Sequence, residues 1–234
     1  MKKMILSAVM LVFAASGYAQ ETGAAGAGER NEWLPTFEAV AVDADLDVKF
    51  VRVPDTEAPK IVYDTKGSYT TKFRAEVKDK TLRISEKPDS RPERTEVTVY
   101  YSALRAVSLS GAAATFVGTL DAAVLDVTVN RKASLTAKLD VKDLKMEQTG
   151  YSTANLSGSV RYLTLYVSTG KVAASDLEVM SAEVNAQSKA EVSLWITDRF
   201  VGKTTTNARI SYKGDPKIVR GGAKFMGGEI NRVE

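Results

Sequence analysis

Between Val107 and Tyr212 apolar and polar positions alternate in short runs, and the runs recur about every nineteen residues. Turn-like segments open at Ser110, Asn130, Thr149, Ser168, Gln187 and Thr206, one step of 20 followed by four of 19. Residues one repeat apart fall into apolar columns: Leu125, Leu144, Leu163, Ala182 and Val201; then Val127, Met146, Leu165 and Val184; then Val129, Gln148, Val167 and Ala186. Val141, Val160 and Val179 stack likewise, as do Leu120, Leu139, Gly158, Leu177 and Ile196, with Gly158 the exception. Between them run polar ladders, Asp126, Lys145, Thr164 and Glu183, and Thr128, Glu147, Tyr166 and Asn185. Such a period marks a solenoid, in which each repeat covers the apolar face of the last and none folds alone. At roughly 3.3 Å per residue a coil of this length holds two or three brief strands, with room inside for side chains and none for a ligand. Function is therefore expected on the outside or at the ends.

Upstream the period is two. Phe37, Ala39 and Ala41 read as the inward side of one strand and Leu46, Val48 and Phe50 as that of the next, a hairpin-like unit closed by Pro54 and Pro59. Ile61–Tyr63, Phe73–Val77, Leu82–Ile84 and Val97–Tyr100 follow as short strands, with Lys78-Asp79-Lys80 and residues 87–92 as turns. No stretch sustains a helical period. The expected fold is an all-β, single-stranded parallel β-helix, or β-solenoid, with an irregular β-rich part over 33–101 and coils over 102–212. A Gly-rich C-terminal cap is expected over 213–234; Lys203 and Thr205, in columns apolar elsewhere, fit a terminal rung facing it.

Residues 1–19 read as a signal peptide: Lys2 and Lys3, an apolar run from Met4 to Ala15, then small residues before a cut that leaves Gln20 first. Residues 20–32 read as a flexible leader, with order beginning near Trp33. No later run reaches the roughly 20 apolar residues of a membrane helix. The chain is expected to pass the inner membrane and act at the cell surface, in the outer envelope or in the periplasm. Its 32 basic and 29 acidic residues become 30 and 29 without Lys2 and Lys3, too even for a nucleic-acid surface. There is no cysteine and no histidine, so disulfides, acyl-cysteine anchors, thiol nucleophiles and the usual general base and zinc ligands are absent. No cofactor or metal is expected.

Phe37-Glu38-Ala39-Val40 leading into Asp47-Val48-Lys49-Phe50, Val77 to Ile84, Val97-Thr98-Val99-Tyr100 before Leu104, Val107 to Gly111, and Tyr212 to Ile218 occur in an order that resembles the auto-transporter adhesins with a head GIN domain, a family of Bacteroidetes. The resemblance covers nearly the whole mature chain. It implies a right-handed parallel β-helix and an exported, adhesive protein, and it brings no catalytic residues. One departure is that corners such as Asn130-Arg131-Lys132 and Gln187-Ser188-Lys189 lack the glycine the family repeats there.

Three features are candidates for function. Trp195, expected outward in the column of Lys138, Ser157 and Asp176, and Tyr212, one rung on, either form a platform for sugar rings or pack against the cap. Asp126, Glu147 and Glu183 are the acids a polysaccharide lyase or hydrolase would use, but cations and hydroxyls interleave with them. Residues 21–60 hold nine acids and four bases and residues 199–232 eight bases and two acids, so the ends could meet an anionic glycan or a second copy, or act as solvated caps. The sequence supports a non-enzymatic surface-binding protein with a glycan or protein ligand; a periplasmic partner-binding module is the alternative. The oligomeric state is left open.

Overall fold

The computed structural model describes residues 29–67, 72–88, 90 and 93–233. The signal peptide and the leader up to residue 28 lie outside these. Five long strands form the body: β9 (Ala113–Asn130), β10 (Ser134–Thr149), β11 (Thr153–Ser168), β12 (Lys171–Gln187) and β13 (Glu191–Thr205). Each pairs in parallel with the next, so that outside the register shifts near Ala137, Leu156 and residues 175–177 the backbone groups one coil leaves open are met by its neighbour. Each strand also serves two faces of the coil. The corner falls at Ala123-Val124, Lys142-Asp143, Arg161-Tyr162 and Met180-Ser181, where two successive residues face outward and the alternation changes phase.

The expected columns are present. Leu125, Leu144, Leu163 and Ala182 are register partners, as are Val127, Met146, Leu165 and Val184, and all are buried. Gln148 completes the third column without being apolar because its Nε2 donates to the carbonyls of Ser152 at 2.7 Å and Lys171 at 3.0 Å. Asp126 lies beside Lys145, an opposite-charge pair worth a few tenths of a kcal/mol. Gly158 breaks its column for a backbone reason. Its φ is +100°, and a Cβ there would sit 2.1 Å from the Leu139 carbonyl oxygen.

Tight turns join the faces, and most place two successive residues in the left-handed region: Arg131-Lys132, Gly150-Tyr151, Thr169-Gly170, Ser188-Lys189 and Thr206-Asn207. The corners without glycine thus keep the left-handed geometry of those that have it. A column of small residues follows the turns, with Ala112, Ala133, Ser152, Ala190 and Ala208 all fully buried where the chain crosses between faces.

The N-terminal part departs from the sequence expectation in spatial order. β2 (Ala39–Asp43) and β3 (Asp47–Arg52) do not pair with each other as a hairpin. They form a coil lying between that of β6 (Thr81–Glu86) and β7 (Glu96–Tyr101) and that begun by β8 (Ala106–Ser110). The chain enters at this inner coil, lays the outer one, and returns across it. β4 (Lys60–Asp64) and β5 (Phe73–Lys78) reverse direction against β7 and β6 and close the end, with β1 (Glu29–Trp33) added on β4. Among the described residues strand pairing starts at Glu29, four residues before Trp33. On β2 the buried residues are Val40 and Val42; Ala39 and Ala41 face the other way, because the larger β-branched side chains fill the core.

The far end shows a second difference. β13 is two residues shorter than β12, and the register slips at two places between them. Phe200, not Val201, stacks on Ala182, and Ile196 stacks on Val179 rather than Leu177. Thr204 is buried against Ala186, while Lys203 and Thr205 keep outward or half-buried positions. β14 (Arg209–Lys213) continues the coils on β13, and within the expected cap β15 (Ile218–Phe225) pairs in parallel with β13 and β16 (Glu229–Arg232) with β14.

Candidate surface groove and the aromatic end

Just before the common corner, one outward residue per coil forms a ladder: Asp121, Asp140, Ser159 and Glu178 are successive register partners. Two residues further on, past buried Val141 and Val160, Lys142 and Arg161 project on the other side. The space between the two rows is a shallow groove of about 600 Å³ running across the coils, with Met180 at one end. Arg52 donates to Asp121 at 3.4 Å, and the Ser159 hydroxyl to Asp140 at 3.1 Å. Lys142, Arg161 and Glu178 have no ion-pair partner among the described residues.

The shift in β13 brings Trp195 to this ladder. It stands opposite Glu178, not Asp176, and Lys213 follows it on β14. The Lys213 ammonium lies 5.2 Å from the Trp195 ring centroid, a cation–π contact on the outer face. Tyr212 does not share that face. It pairs with buried Leu194, is 8% exposed, and packs against Phe200 at 4.7 Å between centroids. Neighbouring residues of a strand point to opposite sides, so Trp195 and Tyr212 form no common platform.

The carboxylates singled out in the sequence stay apart. Asp126 and Glu183 share a column but are separated by Lys145 and Thr164, and Glu147 stands in the next ladder. Within the five long strands two acids do meet on adjacent coils, Asp121 and Asp140, nineteen residues apart like the members of the other columns. Among the described residues no group of three His, Cys, Asp or Glu could hold a metal ion. The charged ends are partly compensated: Glu38 pairs with Lys80 at 2.9 Å, Asp43 with Arg131 at 2.9 Å and Asp47 with Arg94 at 3.2 Å. At the far end Arg209 meets Glu229, Lys217 meets Asp198 and Arg232 meets Asp215.

A family model described as "Putative auto-transporter adhesin, head GIN domain" matches residues 36–216. No match was found among curated proteins. Among solved structures, a putative adhesin from Bacteroides fragilis is 18% identical with a TM-score of 0.78, over 88% of this chain and 96% of that one. A putative adhesin from Parabacteroides merdae is 18% identical with a TM-score of 0.66, over 88% and 95%. A putative lipid binding protein from Parabacteroides distasonis is 16% identical with a TM-score of 0.64, over 89% and 98%. At these identities the likeness establishes a common fold.

Proposed function

This chain belongs to the auto-transporter adhesin, head GIN domain family, and from that premise we propose that it is an exported, non-enzymatic protein that binds its ligand on the outside of the solenoid. The observation that carries this reading is the contrast between interior and surface. The void among Val107, Phe116, Leu125 and Met146 measures about 10 Å³, the room of a single water at most, whereas the corner groove is open and charged. That void is too small for an acyl chain. In this reading residues 1–19 direct export, and the partner is a glycan or a protein at the cell surface or in the envelope. The chain lacks histidine and cysteine, and the acids of the groove are solvated rather than enclosed, which favours binding over catalysis.

Purified mature protein, titrated onto immobilised glycans, matrix proteins and whole cells, is expected to bind saturably, and protease added to intact cells is expected to cleave it. Absence of saturable binding together with protection inside the periplasm overturns the reading. A periplasmic docking module is the second reading, favoured by the outer edges of β15 and β16, which no described strand covers. Co-purification with one defined envelope protein supports it, and cleavage on intact cells counts against it.

A further inference from the structure

Taking the protein as a binder of external ligands, we propose that the corner groove holds a neutral glycan chain laid along the solenoid axis. Successive coils are about 4.8 Å apart, so Asp121, Asp140, Ser159 and Glu178 present one oxygen-bearing side chain per rung in a straight row. Those oxygens accept hydrogen bonds. Across the floor, Lys142 and Arg161 donate them. A polyanion entering the groove meets the acidic row and a polycation meets the basic one, so each gains on one side and loses on the other. A chain of hydroxyl groups is donor and acceptor at every unit and satisfies both rows with charge-assisted hydrogen bonds. Glu178, Lys142 and Arg161 are free for this, being without ion-pair partners among the described residues.

Apolar surface lies where sugar rings would need it. Tyr162, 48% exposed, and Met180, 37% exposed, stand at the same corner, and Trp195 extends the acidic row. Aromatic faces and a thioether cover the C–H faces of sugar rings while leaving the hydroxyl edges to the polar rows. An extended peptide fits less well. Peptides bound to sheets draw their affinity from main-chain bonds to an open edge. Here the backbone of Leu139 to Val141 is paired on both sides, with Leu120 to Ala122 and with Gly158 to Val160.

The test uses the full mature chain and neutral oligosaccharides of glucose, mannose and N-acetylglucosamine of increasing length, followed by calorimetry and by Trp emission. At least one series is expected to bind, with affinity rising with length until the four rungs are filled and then levelling. Asp140→Asn combined with Arg161→Gln is expected to weaken binding at least tenfold with an unchanged melting temperature. Glu147→Gln, on a ladder of the other face, is expected to bind as the unmodified chain does. Stronger binding of a polyuronate or an extended peptide than of every neutral series overturns the proposal. So does retention of affinity in the double variant. If the protein still binds cells or matrix while the groove variants bind them equally well, the groove assignment falls and the surface-binding reading stands; if nothing binds, the groove assignment falls, and the surface-binding reading falls with it when intact cells also shield the chain from protease.

Discussion

Glu178 and Trp195 face each other across β12 and β13 seventeen residues apart, where Asp140 and Ser159, and Ser159 and Glu178, are nineteen apart. The two missing residues rotate the chain so that an aromatic ring ends the acidic row and Lys213 comes to lie over it. Because Trp195 is half-buried and its partner ammonium is near the surface, the contact is worth about 0.5–1 kcal/mol. A double-mutant cycle on Lys213→Ala and Trp195→Leu, read by denaturant unfolding, is expected to give a coupling of about 0.5 kcal/mol. Strict additivity would mean that the ring and the ammonium do not interact in solution.

The Gly158 and Gly214 positions make the same demand on the backbone. Both have φ near +100°, and an added Cβ would meet a carbonyl oxygen of the preceding coil at 2.1 Å, that of Leu139 or of Ile196. A backbone oxygen held in a parallel ladder cannot move aside, so strain and clash act together. Gly158→Ala is expected to cost at least about 2 kcal/mol. Gly221→Ala, where nothing lies within 4 Å and φ is not positive, serves as the control and is expected to change stability by less than about 0.5 kcal/mol. Equal denaturation midpoints for the two variants would refute this account of the corner.

The turns at Arg131-Lys132 and Ser188-Lys189 have ordinary side chains in the left-handed region, with φ between 51° and 65°. That conformation costs a non-glycine residue about 1–2 kcal/mol, while glycine adds about 0.5–1 kcal/mol of entropy to the unfolded chain. The first effect is larger, so Lys132→Gly and Lys189→Gly are each expected to stabilise the fold by about 0.5 kcal/mol. Asn207→Gly is expected to gain less, since asparagine tolerates this region. Calorimetric melting of the three variants decides the matter, and destabilisation by both lysine replacements would show that their side chains contribute more than the strain.

Much of this architecture is legible in the residues because burial repeats with the coil. Leu125, Leu144 and Leu163 are apolar for the same reason at the same place, and a constant period is enough to align them. The reading fails where the period changes. Carried through β13 at nineteen residues it puts Val201 in the core, and only the shortened strand reveals Phe200 there. It fails also where order in the chain differs from order in space. Nothing in the alternation of β2 and β3 says that a later pair of strands is laid outside them, since a strand buried on one side looks alike wherever its neighbours come from. The groove was spelled out at nineteen-residue spacing in Asp121, Asp140, Ser159 and Glu178. Polar columns carry no burial signal to single out one ladder from another, and the corner that gives this one a partner row exists only in three dimensions.

The N-terminal core contains two phenols that ionise late. Burial pushes the Tyr101 hydroxyl from 10.0 up to about 12, with the nearby Arg52 charge opposing it. Tyr63 is likewise pushed up to about 12, first by burial and then by its 2.6 Å hydrogen bond to Glu32, which the neutral phenol donates. In both cases the folded state favours the protonated form, so the unfolded chain, ionising near pH 10, gives up its protons first. The contribution of these groups to stability is complete below pH 10 and is lost as the pH rises from 10 to about 12. Unfolding by denaturant between pH 8 and 12 is therefore expected to show stability falling above pH 10. Tyr101→Phe supplies the decisive comparison: the fall should become shallower in that variant. Curves of identical slope for the two proteins would show that Tyr101 does not carry the effect.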